Sequence, residues 1–590
     1  WGWGGEREDF DVMDLRAVAV AVVAVVGASS AAAASNCTLT SGSTIGSSKA
    51  FAHYNDVTQS FCCEACWKSS ECAGYNLEPG RLGLWQCYLQ ADIAFQKMEP
   101  GSMHAVVRPP APPPPPTNAH VAVGTVYWRT LPEFKSWNID ASDNRGWEAR
   151  NLSHDAPEGN RLWKLARNSV PGILRFGGSG NDHLGYFPCQ NSRGRCMNET
   201  WFDNLMEFGA YANTKFVFGL DMGPRNGSRW DPTGARRVMQ RAIERNFTFY
   251  GFELGNEENP GHDAESEALD FQILHKLLVE MYPDLATRPK IMGPDPHGFH
   301  DDNSTRATMA LDFLRDFVTN TTKLGVPVAA ITHHEYIEVD MYSTVPPTAD
   351  KLDLTAQIAA AVNATLAPLL PPGVGIWAGE IGPHNGKTVP CDLARPFRWA
   401  NFADIFWYLD AMGSKAANGY SAFCRQDFVG IDYGLVDCLT YEPLPDYWAG
   451  VLWGRLVGPA VVRTTSNDTS GVRAYTHCTV DAPNDATVVL LNLDPTINPV
   501  TNGTNAARNV TIAVGGQVWS GARTEYHLTG PRGTNSTAIA LGGVPIALTA
   551  SGDLPPLDGT ATGGEAVIEM AAASAVFVVL HGAGPALECT

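Results

Sequence analysis

Short apolar runs that stop abruptly at polar clusters recur through the middle of the chain. Pro171-Gly-Ile-Leu-Arg-Phe176 stops at Gly177-Gly-Ser-Gly-Asn-Asp182, and Thr214-Lys-Phe-Val-Phe-Gly-Leu220 stops at Asp221-Met-Gly-Pro. The aromatic run from Phe247 to Leu254 stops at Gly255-Asn-Glu-Glu-Asn-Pro260. Lys290-Ile-Met-Gly-Pro-Asp295, Val328-Ala-Ala-Ile-Thr-His333-His334 and Val374-Gly-Ile-Trp-Ala-Gly-Glu380 keep the same rhythm. Apolar runs of this length, bounded by glycine and polar residues, predict buried strands. Between them, Arg236 to Arg245 and Ala264 to Tyr282 carry helical periodicity. Such alternation predicts an α/β fold, a (β/α)8 barrel over 118–455, with its polar strand tips gathered on one face.

The pattern changes after Leu456. Val488-Val-Leu-Leu-Asn-Leu, Val510-Thr-Ile-Ala-Val and Ala575-Val-Phe-Val-Val-Leu580 are short strands separated by Gly, Asn, Pro and Thr turns, which predicts a β-sandwich over 456–590. Cys478 and Cys589 bracket it.

The amino end differs again. Met13-Asp-Leu-Arg leads into the apolar run Ala17 to Gly27 and then Ser/Ala residues, the pattern of a signal peptide over 13–35. The run is short for a bilayer span, so a signal anchor is the lesser alternative. Six cysteines between Cys37 and Cys87 predict a small disulfide-stapled module over 37–108. Its pairing stays open. The order Cys66, Cys72-Ala-Gly-Tyr75, Cys87-Tyr-Leu89 resembles the PAN/apple module, which implies a protein or carbohydrate ligand. Pro109 to Pro116 form a stiff spacer, a linker over 109–117.

With 590 residues, the chain exceeds one core, and about two to four domains are expected. Its net charge of −20 excludes nucleic acid as a natural partner, since phosphate neutralisation needs a basic surplus. Twelve Asn-X-Ser/Thr sequons, including Asn198, Asn226, Asn246 and Asn535, accompany the cysteines and point to a secreted or lysosome-like compartment. Sixteen Trp and seventeen Tyr suit surfaces that stack on sugar rings.

The strand tips carry the candidate chemistry. Glu257, beside Asn256, follows one strand, and Glu380 ends another. Two carboxyl groups facing each other across a barrel mouth, about 5–5.5 Å apart, are what a retaining glycosidase needs. One protonates the leaving oxygen and the other attacks the anomeric carbon. Glu253 is expected to pair inside the barrel, and Glu258 is the lesser rival for acid/base. His333-His334 has the look of a metal site, but neighbouring strand residues point to opposite faces, so a hydrogen-bonding role is expected and no metal or other cofactor is called for.

Phe252-Glu-Leu-Gly-Asn-Glu257-Glu-Asn and Trp377-Ala-Gly-Glu380 resemble the two catalytic motifs of the heparanase-like β-glucuronidases of glycoside hydrolase family 79. Leu174-Arg-Phe-Gly-Gly-Ser-Gly-Asn-Asp182, Thr332-His-His-Glu-Tyr336, Arg425-Gln426-Asp-Phe428, Tyr433-Gly-Leu-Val-Asp437 and Tyr475-Thr-His-Cys478 follow in the family's order. The resemblance implies that Glu257 is the acid/base and Glu380 the nucleophile. It implies that Asn256 holds the sugar 2-hydroxyl and that Asp182 and Gln426 hold other hydroxyls. Tyr433 would form the pocket wall, with Tyr336 and His334 near the nucleophile. It also implies a Cys478–Cys589 disulfide and places the strand near 120–128 in the sandwich.

Two features depart from the family. Its Tyr-Gly-Gly stretch, which reads the uronate carboxylate, is here His384-Asn385-Gly386-Lys387; His384 takes the Tyr position, and the Gly386 amide or the Lys387 cation suits a carboxylate. The segment between Asp182 and Asn256, which holds the Cys189–Cys196 pair, leaves no room for an excised linker, so a single chain is expected to be active. The arginines of Arg236 to Arg245 read as a helix face rather than a site for sulfated chains. The expected function is hydrolysis of β-linked glucuronic acid in extracellular polysaccharide or proteoglycan glycans, without nucleic acid or obligate membrane contact. The alternatives are a catalytically silent carbohydrate-binding or adhesion protein, and a retaining β-glycosidase of different sugar specificity.

Overall fold

The computed structural model describes residues 117–141, 157–188, 195–300, 304–337, 346–384, 401–430, 433–437, 440–494 and 507–589, and seven strands between residues 37 and 107. Eight parallel strands form a closed barrel. In chain order, β1 is Lys135–Asp140, β2 Ile173–Gly177, β3 Lys215–Leu220 and β4 Gly251–Leu254. They are followed by β5 Lys290–Pro294, β6 Val328–Tyr336, β7 Gly375–Gly382 and β8 Ala422–Arg425. Each pairs with the next, and β8 returns to β1 with Phe423 opposite Lys135.

Helices α1 Pro157–Asn168, α2 Glu199–Ala212, α3 Thr233–Glu244, α4 Ala264–Met281, α5 Ser304–Lys323, α6 Ala349–Leu366 and α7 Asp404–Ala417 fill the seven connections. The last, α8 Pro445–Leu456, follows β8. This is the (β/α)8 architecture expected from the alternation, and it carries all the strand tips to one face. The run from Phe247 becomes strand only at Gly251. Phe249 packs instead on Phe216 and Phe252, under the helices. The α3 arginines meet acids of neighbouring helices: Arg241 reaches Asp203 of α2, and Arg236 reaches Glu280 of α4.

Beyond α8 the chain forms a mixed sheet in which Val457–Ser466, Val472–Thr479, Ala482–Asn492, Ser574–Leu580 and Arg523–Thr529 lie side by side. The strand Thr117–Arg129, which precedes the barrel, is part of it, antiparallel to Val457–Ser466 and parallel to Arg508–Val514. Side chains alternate as the pleat demands. Val488, Leu490, Val576 and Val578 enter a core with Val121, Val510 and Ile512. Val489, Leu491, Phe577 and Val579 point the other way and join the barrel's core. Helix α7 is therefore buried along almost its whole length, between barrel and sheet. Tyr475 closes over Gly413 and donates to Asp410 Oδ1 at 2.6 Å.

A disulfide joins Cys478 to Cys589 across 111 residues, with 5.5 Å between their Cα atoms. Closing so long a loop restricts the unfolded chain, so Cys478→Ser is expected to lower stability by about 2–4 kcal/mol. The urea midpoint of the variant against the oxidised parent measures it; equal midpoints would mean that the bond restrains nothing. Cys196 is also disulfide-bonded, and Cys189 lies outside the described residues.

The chain divides into two compact units, the second beginning at Pro116. In the first, five antiparallel strands run in the order Cys37–Ser41, Met103–Val107, Gly74–Pro79, Trp85–Gln90, Ala50–Val57. The side chains on which the PAN/apple reading rests, the signal segment and most of the proline spacer lie outside the described residues. Among the described residues, no helix is long and apolar enough to cross a membrane.

Candidate active site

Arg175 is the hub of the barrel mouth. Strand β2 is buried throughout, and its one charged residue must find partners inside. Arg175 Nε donates to Glu253 Oε2 on β4 at 2.6 Å, and Nη1 to Glu380 Oε2 on β7 at 2.9 Å. Nη2 reaches Asn256 Oδ1 at 3.2 Å and Asp295 Oδ2 at 3.5 Å. A Cβ at residue 177 would sit 2.7 Å from the guanidinium carbon, so Gly177 lets the side chain fold back over its own strand. Glu253 thus pairs within the barrel, as expected. Burial pushes its carboxyl up to about 8, over the opposing pull of Arg175, with the Asp295 charge adding to the rise.

Glu380 is buried and held at both oxygens. Tyr336 Oη donates to its Oε1 at 2.5 Å, opposite the Arg175 contact. Glu257 lies just past β4, with φ of +58°, and its Oε1 meets His334 Nδ1 at 3.0 Å. His334 stands opposite Glu380 in the β6–β7 register, at a bulge where the pairing slips past Gly379. Glu257, His334 and Glu380 each offer a ligand atom within 4.8 Å of the others. His334 Nε2 meets Asp295 Oδ1 at 3.2 Å. Burial alone would lower the imidazole pKa, but the Glu380 charge and the bonds to Asp295 and Glu257 outweigh it and lift it to about 10. Asp295 is held well below the usual carboxylate range: burial works against it, and Arg175 and His334 overcome that. The trio has the donor set of a metal site, yet both His334 nitrogens are engaged and the protonated ring has no lone pair to offer a cation. His333 faces the other way, to the Tyr420 hydroxyl at 2.7 Å.

The remaining candidates line the same face. Asn256 is buried, and its Nδ2 points to Ser179 Oγ at 3.4 Å. Asp182 sits in the short turn after β2; burial, then the Glu258 and Asp221 charges, push its carboxyl up to about 9, so it is protonated and able to donate at neutral pH. Gln426, past β8, donates to Asp140 Oδ2 at the tip of β1, at 2.9 Å. The Tyr433 ring lies over Gly382 beside that of Tyr336. Glu258 turns toward His262, 3.7 Å away. His384 is half-buried just beyond β7; Gly386 and Lys387 lie outside the described residues. Arg175, Asp295 and Asp140 are site residues that the sequence reading did not single out. A lone arginine in an otherwise apolar strand was the available signal for the first.

A family model described as "Glycosyl hydrolase family 79, N-terminal domain" matches residues 191–413. Heparanase-like protein 3 of Arabidopsis thaliana is 26% identical over 419 residues, spanning 65% of this chain and 73% of that protein. Baicalin-beta-D-glucuronidase of Scutellaria baicalensis is 27% identical over 476 residues, spanning 71% and 83%. Among solved structures, the family 51 arabinofuranosidase of Xanthomonas axonopodis pv. citri superimposes with a TM-score of 0.57 at 14% identity, over 79% of this chain and 100% of that one. That likeness is one of fold.

Proposed function

The chain belongs to the heparanase-like glycoside hydrolases of family 79, and from that footing we propose that it is a retaining β-glucuronidase acting by double displacement. The observation that carries the reading is the approach of Glu257 and Glu380 to within 4.8 Å at their nearest oxygens. Inverting enzymes leave about 6.5–9.5 Å between the two groups for a water molecule, and this gap fits direct attack instead. Glu380 is the nucleophile: Arg175 and Tyr336 hold its carboxylate and fix its direction. Glu257 protonates the departing oxygen and then takes a proton from the water that releases the sugar. Asn256, steadied by Arg175, holds the 2-hydroxyl, a contact that strengthens as the anomeric carbon gains positive charge. Asp182 and Gln426 hold further hydroxyls, and Tyr433 closes the wall.

The substrate reading rests on the relatives' printed activity and on the charge of the chain. Baicalin-beta-D-glucuronidase is a relative over most of its length. A net charge of −20 and an α3 face whose Arg236 and Arg241 are paired with acids leave little to bind a densely sulfated polymer. Glucuronic acid in lightly sulfated polysaccharide or proteoglycan glycans fits better, in a secreted or lysosome-like setting. Hydrolysis of aryl β-glucuronide, β-glucoside and β-xyloside, with the first-formed anomer followed by NMR, tests both parts. The glucuronide is expected to be turned over with the β anomer formed first. Turnover of the glucoside alone would overturn the substrate; an initial α anomer would overturn the retaining mechanism.

A further inference from the structure

We propose that Asp295 is a positioning residue for Glu257, acting through His334 to keep the catalytic proton on the carboxyl oxygen that faces the substrate. The proposal rests on the reading of Glu257 as acid/base. Glu257 has left its strand and lies in the left-handed region, so no regular element aims its side chain. Two of its contacts lead to Asp295. The Glu257 backbone N–H donates to the Asp295 carbonyl at 3.1 Å. The Glu257 side chain meets His334, whose other nitrogen meets the Asp295 carboxylate.

The ring's protonation state decides where the Glu257 proton resides. Nε2 lies 3.2 Å from Asp295 Oδ1 and 3.3 Å from the Arg175 guanidinium, and the carboxylate is the neighbour that favours a proton there; a ring protonated at Nε2 alone leaves Nδ1 as an acceptor. It would then draw the Glu257 proton onto Oε1, away from the leaving group. A doubly protonated ring donates at Nδ1 instead, so Oε1 accepts and the proton stays on Oε2. The same imidazolium stabilises the carboxylate that Glu257 becomes once the proton has gone. Glu257 and Asp295 face the two ring nitrogens, Glu380 lies opposite in the register, and Arg175 Nη2 is 3.3 Å from Nε2. His333 is the neighbour on the strand, and His297 Nδ1 lies 3.9 Å from Glu257 Oε2. Among the carboxylates around the ring, Glu380 exerts the largest pull on its charge, and Asp295, fully buried, is the one in contact with Nε2, at 3.2 Å, and so the one that favours a proton on that nitrogen.

Three further features converge on this carboxylate. Asp295 itself has φ of +55°, a left-handed conformation that costs an aspartate energy and persists where its surroundings impose it. Its N–H donates to Thr332 Oγ1 at 3.2 Å. On β7, a Cβ at residue 379 would lie 2.5 Å from Asp295 Oδ1, so the residue at the bulge opposite His333 and His334 is glycine.

The test compares two aryl glycosides of the sugar that the substrate panel selects. One releases dinitrophenol, which departs without a proton; the other releases phenol, which needs one. In Asp295→Asn, kcat/KM is expected to fall on the order of 10²-fold for the phenyl glycoside and less than about tenfold for the dinitrophenyl glycoside. The ratio of the two rates on one preparation does not depend on the fraction of folded enzyme. Equal losses on both substrates, or none on either, would overturn the proposal. Glu257→Ala is the reference and is expected to show the same split more strongly. If Glu257→Ala loses both substrates equally, the acid/base assignment falls and takes the proposal with it, an outcome distinct from failure at Asp295 alone.

Discussion

Glu380→Ala is expected to lower kcat on aryl glycosides by on the order of 10⁴ to 10⁶, the range seen when a covalent nucleophile is removed while binding groups remain. The loss follows from how the carboxylate is held. Arg175 and Tyr336 grip its two oxygens, so it reaches the sugar without reorganising, and no other described carboxylate is held in that place. Water entering the vacated space would be a far weaker nucleophile. Added azide gives the sharper readout. In Glu380→Ala it attacks from the nucleophile's side and yields the α-glycosyl azide from a β-substrate. In Glu257→Ala it attacks the glycosyl-enzyme from the other side and yields the β-azide. A β-azide from Glu380→Ala, or undiminished hydrolysis, would exchange the roles or remove Glu380 from the mechanism.

The two glutamates that meet at the barrel mouth were legible in the chain because each follows an apolar run, and a run that stops at a polar tip marks the mouth of a barrel. Six barrel strands announced themselves in that way. The first and last did not. Strand β1 reads Lys-Ser-Trp-Asn-Ile-Asp, and its polar residues are buried only because distant groups satisfy them. Lys135 Nζ donates to the Ser169 carbonyl, Ser136 Oγ accepts from Ile173 N, and Asn138 Nδ2 donates to the Gly379 carbonyl. Strand β8 is four residues long and ends at Arg425, whose charge is met by Asp446 and Asp404. A strand whose polar groups are satisfied by tertiary partners has the composition of a loop. Asp295 was hidden for a related reason: its place at a strand tip was visible, but the slip at Gly379 that admits its carboxylate exists only once β6 and β7 are paired.

Arg175→Met is the second large effect, and it is read in stability as well as rate. Arg175 is almost fully buried and touches three carboxylates, Glu253, Asp295 and Glu380. Removing a buried cation leaves its partners desolvated and unpaired, a loss of about 3–5 kcal/mol for one such pair. The pH dependence identifies the cause. Glu253 has its folded pKa raised to about 8, above its unfolded value, so in the parent its ionisation costs stability progressively as pH rises toward 8. Arg175 opposes that rise, and without it the folded carboxyls hold their protons more tightly still. The deficit of Arg175→Met is therefore expected to be smaller at pH 5, where protonation relieves the crowded carboxylates, and larger at pH 8, where unfolding lets them ionise in water. Urea unfolding of parent and variant at the two pH values measures it. A deficit independent of pH would mean that Arg175 acts through packing of its aliphatic stem, and the charge-centred account of the barrel mouth would fail.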